Sequence, residues 1–338
     1  MSRMRIAPRR PWRAMGLAFA AGCSLAAYVD ASDAVGESGY RVQARWAVGG
    51  EGKWDALVVD DTHRRLYVSR ATRVQVLDLD SGKLLGEIAN TPGVHGVALA
   101  PELNRGFTSN GKGDSVTVFQ LDTLATLAEV KISGQDPDAI VYDAPSKRIY
   151  AFNGNSNNAT VIDAVTAKEV GSIALPGRPE FALSDGKGHL FVNLEDKNAL
   201  AVIDVAAGTV RSNWSLAPCD GPTGIALDES NHRVFSACHN QILVVTDSES
   251  GKRIAQLPIG AHVDGAAFDP VTSLLFSSNG DSADVTVIHA ESADHYAVRG
   301  SLATAKGAKT MALDPKSHKL YLPAMAATEF QILVAAPK

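Results

Sequence analysis

One short phrase recurs along the chain and constrains its architecture more than anything else. It reads Arg-Leu-Tyr-Val-Ser at Arg65–Ser69, Arg-Ile-Tyr-Ala-Phe at Arg148–Phe152, His-Leu-Phe-Val-Asn at His189–Asn193 and Lys-Leu-Tyr-Leu-Pro at Lys319–Pro323. An aromatic ring marks each copy: Tyr67, Phe107, Tyr150, Phe191, Phe235, Phe276 and Tyr321, spaced by 40, 43, 41, 44, 41 and 45 residues. A period near forty, built of short apolar runs broken by turn residues, is the signature of a propeller or a similar repeat array.

The first repeat shows the unit. Trp54–Asp60 is a short apolar strand, Arg65–Arg70 carries the ring, Arg73–Asp78 is a third strand, Asp80-Ser81-Gly82 turns, and Lys83–Ala89 is a fourth. Four strands in forty residues make one blade. The seventh repeat is one strand short, with runs at Thr310–Asp314, Lys319–Pro323 and Phe330–Ala335. An unassigned alternating run, Tyr40–Val48, precedes the first repeat, and its Trp46-Ala47-Val48-Gly49 parallels the fourth-strand end Leu257-Pro258-Ile259-Gly260. The expectation is an all-β, seven-bladed β-propeller of four-stranded antiparallel blades. It occupies residues 40–338 as one domain, with the N-terminal strand closing the last blade and hiding its edge.

The phrases Phe268-Asp269-Pro270, Leu313-Asp314-Pro315, Val161-Ile162-Asp163 and Val202-Ile203-Asp204 give the repeats an Asp-Pro…Tyr-Val…Val-Ile-Asp…Gly-Lys cadence. In this the chain resembles the YncE-like, YVTN-type seven-bladed propellers exported by bacteria. That resemblance implies an exported WD40-like propeller. It implies no particular activity, because the family carries no single accepted chemistry.

Residues 1–31 read as a signal peptide and short leader. Arg3, Arg5, Arg9, Arg10 and Arg13 precede an apolar run from Ala14 to Val29, with small residues at Ala27, Ala31 and Ala34 for cleavage. Arg9-Arg10 fits a twin-arginine signal poorly, since Pro11 and Trp12 follow, and Ala20-Ala21-Gly22-Cys23 lacks the Leu of a lipoprotein box. A periplasmic or secreted location is therefore expected. Cleavage near Ala27 removes five Arg and no acid, moving the formal charge from −5 to −10. So acidic a surface argues against nucleic acid as a partner, and no later run is long enough to span a membrane. The expected partner is a small-molecule ligand or another envelope protein, and the chain is expected to be a monomer.

Two cysteines remain after the leader, Cys219 and Cys238. An oxidising compartment favours a disulfide between them. The other reading groups them with His239 and His262 as soft ligands for copper or zinc.

A four-stranded antiparallel blade brings the start of its first strand and the end of its second to one face. The opening positions, Asp55, His95, Asp138, Glu180, Thr223, Asp264 and Lys309, should ring the mouth of the central channel. Arg70, Asn110, Asn153, Leu194, Cys238 and Asn279 end the second strands, with Asn193 and His239 one position away. Like charges in one funnel repel, and a cation relieves that repulsion. The ligand or metal candidates are therefore Asp55, His95, Asp138, Glu180, Asp264 and His239. Asn110, Asn153, Asn193, Asn279 and Lys309 form a secondary set. Oxygen ligands suit calcium or magnesium; with His95 joining Glu180 and Asp264, zinc, manganese or iron is favoured. Asn110-Gly111, Asn153-Gly154 and Asn279-Gly280 also suit tight turns, where both residues accept positive φ. His63, His189, His232, His289, His295 and His318 read as surface residues.

No nucleophile elbow, phosphate-cradling loop, His-Glu-x-x-His or haem attachment motif is present. The residues thus point to a binding or scaffold protein with a polar, acidic funnel. The alternative is a metal-dependent, lactonase-like hydrolase in which Glu180, Asp264 and nearby amides hold a divalent cation, while His95 or His239 moves protons.

Overall fold

A computed structural model describes residue 1, residues 37–50 and residues 52–338. The expected leader, its arginines, Cys23 and the cleavage positions lie outside the described residues. The rest folds as seven four-stranded antiparallel sheets in a ring, a seven-bladed β-propeller. Among the described residues there is no α-helix, only three single 3₁₀ turns, and no helix is long and apolar enough to cross a membrane.

The first strands of the blades are Leu57–Asp60, Val94–Ala100, Pro137–Asp143, Pro179–Ser184, Pro222–Asp228, Val263–Asp269 and Ala312–Leu313. The first and last are shorter than the sequence suggested. The seventh blade closes as expected: Tyr40–Ala47 pairs antiparallel with Glu329–Pro337, from Tyr40 opposite Pro337 to Ala47 opposite Gln331.

The marker rings are buried where blades meet. Tyr67 packs on Phe119, centroids 5.8 Å apart, and Phe276 meets Tyr40 edge-on at 5.1 Å. Two of the turns before a fourth strand are held by a tryptophan from the preceding blade. Gly82 and Gly251 both have φ +73°, and a Cβ there would lie 2.2 Å from Trp46 and 2.4 Å from Trp214. Only glycine meets both demands.

The far end of each first strand shows why the Asp-Pro cadence recurs. Buried Asp60, Asp143, Asp228, Asp269 and Asp314 accept backbone N–H groups of the turn that follows, as from His63 (2.9 Å), Ser146 (3.1 Å) and Lys316 (3.1 Å). Several also reach a neighbour. His318 Nδ1 lies 2.7 Å from Asp269, and Arg64 donates to Asp314 at 2.8 Å. His63, His189 and His318 are therefore not simply surface residues: each ring is half-buried against a carboxylate, Asp60, Asp185 or Asp269.

Candidate functional site

The mouth of the channel is shaped by a repeated irregularity of the sheets. In blade 2, Val94 pairs with Asn110 and Val97 with Thr108, so His95 and Gly96 together face Ser109. The same two-against-one bulge holds Asp138, Glu180 and Thr223, and Asp264 is the extra residue between Val263 and Gly265. A bulge re-aims the side chain it carries. Here it sets the ring residues on the first strands. This device leaves no clear trace in an alternation pattern.

Opposite the bulges, short polar side chains lace one blade to the next. Ser109 Oγ donates to the Asp138 carbonyl. Asn193 Nδ2 donates to the carbonyls of Thr223 (2.9 Å) and Gly224 (3.1 Å). Thr223 Oγ1 donates to Val263 O, Ser278 Oγ to Lys309 O and Thr310 Oγ1 to Asp55 O, at 2.8, 2.6 and 2.8 Å. The ring is thus held by hydrogen bonds that satisfy buried backbone.

The amide candidates need correction. Asn110, Asn153, Asn193 and Asn279 are fully buried. The side chains of Asn110, Asn153 and Asn279 turn into their own blades, donating to Thr117 (2.9 Å), Thr160 (3.0 Å) and Thr286 (2.9 Å) of the third strands. Their Asn-Gly pairs are not positive-φ hairpins either. Asn110 has φ −117°, and the left-handed residues fall later, at Asp114, Asn157 and Ala283. Gly111 has another use, since a Cβ there would lie 2.7 Å from Asp136 and 2.8 Å from His95 Nε2.

The charged candidates do converge. His95 Nδ1 lies 2.6 Å from Asp55 Oδ2 and 3.7 Å from Asp138 Oδ1. One ligand atom from each of these three residues lies within 4.8 Å of the others. Among the described residues this is the one group of three or more such side chains close enough to share a metal ion. Glu180 and Asp264, expected to join His95 around a cation, are engaged elsewhere. Asp264 is ion-paired with Lys309, and Arg178 approaches Glu180 at 3.5 Å and Glu195 at 3.3 Å.

The crowding of acids shows in the proton affinities. Burial opposes the charge on His95, but its bond to Asp55 and the charges of Asp138, Asp55 and Asp136 outweigh that and push it up to about 9. Burial lifts Asp138 to about 6 against the pull of His95, with Asp55, Asp136 and Asp264 adding to the rise. Glu180 is raised by burial and then by Asp138, Glu195 and Asp264. Asp264 is raised by burial despite Lys309. Burial works against the charge on Lys309, and Asp264 beside it more than compensates. Groups on six blades thus sense one another across the mouth.

Cys219 and Cys238 form a buried disulfide, Cα atoms 5.6 Å apart, so neither thiol is left for a metal. His239 and His262 stack at the rim, ring centroids 6.0 Å apart. Sequence reasoning passed over Arg178, Glu195 and Asp136, which stand in the loops above the ring. It also gave Arg70 no role. That side chain is fully buried over the Phe330 ring at 3.7 Å and donates to Gly49 O (3.0 Å), Gly50 O (2.7 Å), Gly52 O (3.1 Å) and Gln75 (2.7 Å). It pins the loop between the closing strand and blade 1.

No family model matches the chain. A stretch of 136 residues is 28% identical to Antigen Lp49 of Leptospira interrogans (serogroup Icterohaemorrhagiae, serovar copenhageni, strain Fiocruz L1-130). The match takes in 38% of this chain and 30% of that protein, so the chain spans under a third of that relative's length. Among solved structures, Kuenenia stuttgartiensis hydrazine synthase superposes with a TM-score of 0.73 over 84% of this chain and 96% of that one. At 18% identity this is a likeness of fold, and the fold is the seven-bladed β-propeller.

Proposed function

We propose that the protein is a binding propeller, working outside the cytoplasm, that takes a small positively charged ligand at the mouth of its channel. The observation that carries this is the crowding of Asp55, Asp138, Glu180 and Asp264 in one field, with proton affinities raised at Asp138, Glu180 and Asp264. Burial is the main cause of that rise and the neighbouring like charges add to it; a cation bound among these carboxylates would offset both. The buried disulfide supports an oxidising compartment. The test is thermal denaturation of the full chain near neutral pH with a panel of cations and anions. A ligand that binds only the folded state raises the melting temperature. Cations should raise it, and the Asp138→Asn, Glu180→Gln double variant should lose the response. A protein indifferent to every cation overturns the reading.

A second reading rests on Asp55, His95 and Asp138. One nitrogen and two carboxylates are a donor set that suits zinc, manganese or iron(II). A metal there would supply Lewis-acid chemistry of the kind a lactonase-like hydrolase uses, and His95 would have to give up its proton to ligate. Elemental analysis of protein purified without added metals decides it. A stoichiometric ion that Asp138→Asn abolishes supports the centre, and less than about a tenth of an equivalent removes it.

A further inference from the structure

The seven first strands enclose a cavity of about 220 Å³ on the propeller axis. Most of its lining side chains are apolar, Leu57, Val97, Ile140, Phe181, Ile225 and Met311 among them, while Asp264, Thr310 and exposed backbone make nearly half of the wall polar. Each member of the polar ring immediately precedes a wall residue. Asp138 precedes Ala139, Glu180 precedes Phe181 and Asp264 precedes Gly265, and the pattern holds for all seven blades. A charged collar therefore stands one residue, roughly 3.3 Å, above a well of mostly apolar side chains.

The collar is not evenly satisfied. Asp55 is bonded to His95, and Asp264 to Lys309. Asp138 and Glu180 have looser partners, 3.7 Å away at His95 and 3.5 Å away at Arg178. These two carboxylates are the acceptors left for a donor arriving on the axis. A metal ion uses only the collar and leaves the well empty. An ammonium group on an apolar tail uses both, since it brings three N–H donors and carries its tail out of water. A dry cavity of about 150 Å³ is enough to take benzene, so this well has room for a phenyl ring and part of a linker.

We propose that the channel binds a primary amine with a short apolar or aromatic tail, its ammonium on Asp138 and Glu180 and its tail in the well below. The proposal rests on the reading of the mouth as a cation site and names the ligand class.

Calorimetric titration of the unaltered full chain near pH 8 tests it with four probes: 3-phenylpropylamine, 3-phenylpropan-1-ol, methylamine and zinc chloride. The phenylalkylamine should bind one to one and at least about tenfold more tightly than methylamine, because each buried methylene is worth roughly fourfold, and more tightly than the alcohol, because its hydrogen bonds to the carboxylates join two charged groups. Asp138→Asn should weaken the amine at least about tenfold and leave the alcohol unchanged. Methylamine or zinc binding with no gain from the phenyl tail leaves the cation site standing and refutes the well. An alcohol that binds as tightly as the amine refutes the role of the collar. If no cation binds, this proposal and the reading beneath it both fall.

Discussion

Replacing Asp138 by Asn keeps the shape of the collar and removes one charge 3.7 Å from His95 Nδ1. At that separation, with an effective dielectric constant of about 20, two unit charges interact by about 4 kcal/mol, equivalent to about three pKa units. The side chains of His95 and Asp138 are 32% and 30% exposed, so screening by water reduces this to about one to two units. His95, held up at about 9 in the native protein, should therefore titrate about one to two units lower in Asp138→Asn. Asp55→Asn should lower it further, because the charge-assisted bond to His95 at 2.6 Å becomes a weaker one to a neutral amide oxygen. NMR titration of ¹⁵N-labelled histidine side chains reads this directly. A native His95 that titrates near 6.5, or one unmoved by Asp138→Asn, would show that the cluster is not coupled and would undo the argument for the site.

The same groups make stability depend on pH with a definite sign. Folded Asp138, at about 6, lies above its ordinary 3.8, so its contribution is full below about pH 3.8 and is lost as pH rises through 6. Folded His95 lies above 6.5, so its contribution is full below that and is lost through about 9. The urea midpoint should fall from pH 5 to pH 9, and fall less in the Asp138→Asn, His95→Gln double variant. A midpoint that rises over this range contradicts the collar. Cys219→Ala with Cys238→Ala opens a loop of 19 residues, which the chain-entropy model puts at about 3 kcal/mol; a melting temperature unchanged from the native protein would deny the bridge a stabilising role. Gly82→Ala should cost roughly 1–3 kcal/mol by driving a methyl group into Trp46, with altered tryptophan emission. Arg70→Met leaves three loop carbonyls without their donor and should cost about 3 kcal/mol; Arg70→Lys should not restore it, since one ammonium cannot reproduce the fork.

The fold was legible because each blade repeats one solution to the same problem. Tyr67 and Phe276 fall at the repeat period because each fills an equivalent gap between blades. The turn aspartates recur because five of the seven first strands end at a turn whose N–H groups need an acceptor. Strand Tyr40–Ala47 was legible by its resemblance to other fourth strands and by the missing count in the last repeat. The site was legible only as a list of positions. Alignment could bring Asp55, His95 and Asp138 to one mouth. It could not say that Asp264 belongs to Lys309 or Glu180 to Arg178, because those choices depend on loop geometry between blades. Nor could it separate Asn279, which braces a third strand from inside the blade, from a residue facing the channel. Amides have no periodicity that tells a buried partner from an exposed one.

The circle has a seam, and the seam falls between segments at opposite ends of the propeller. Residues 40–47 are among the first made of the propeller, and residues 329–337, which they must join, are the last. Until both are present, six sheets can stack but the ring stays an open arc with bare edges at each end. Contacts so distant along the chain form slowly. A truncation that removes only 329–337 should therefore yield a sticky, incomplete ring rather than a slightly weaker protein.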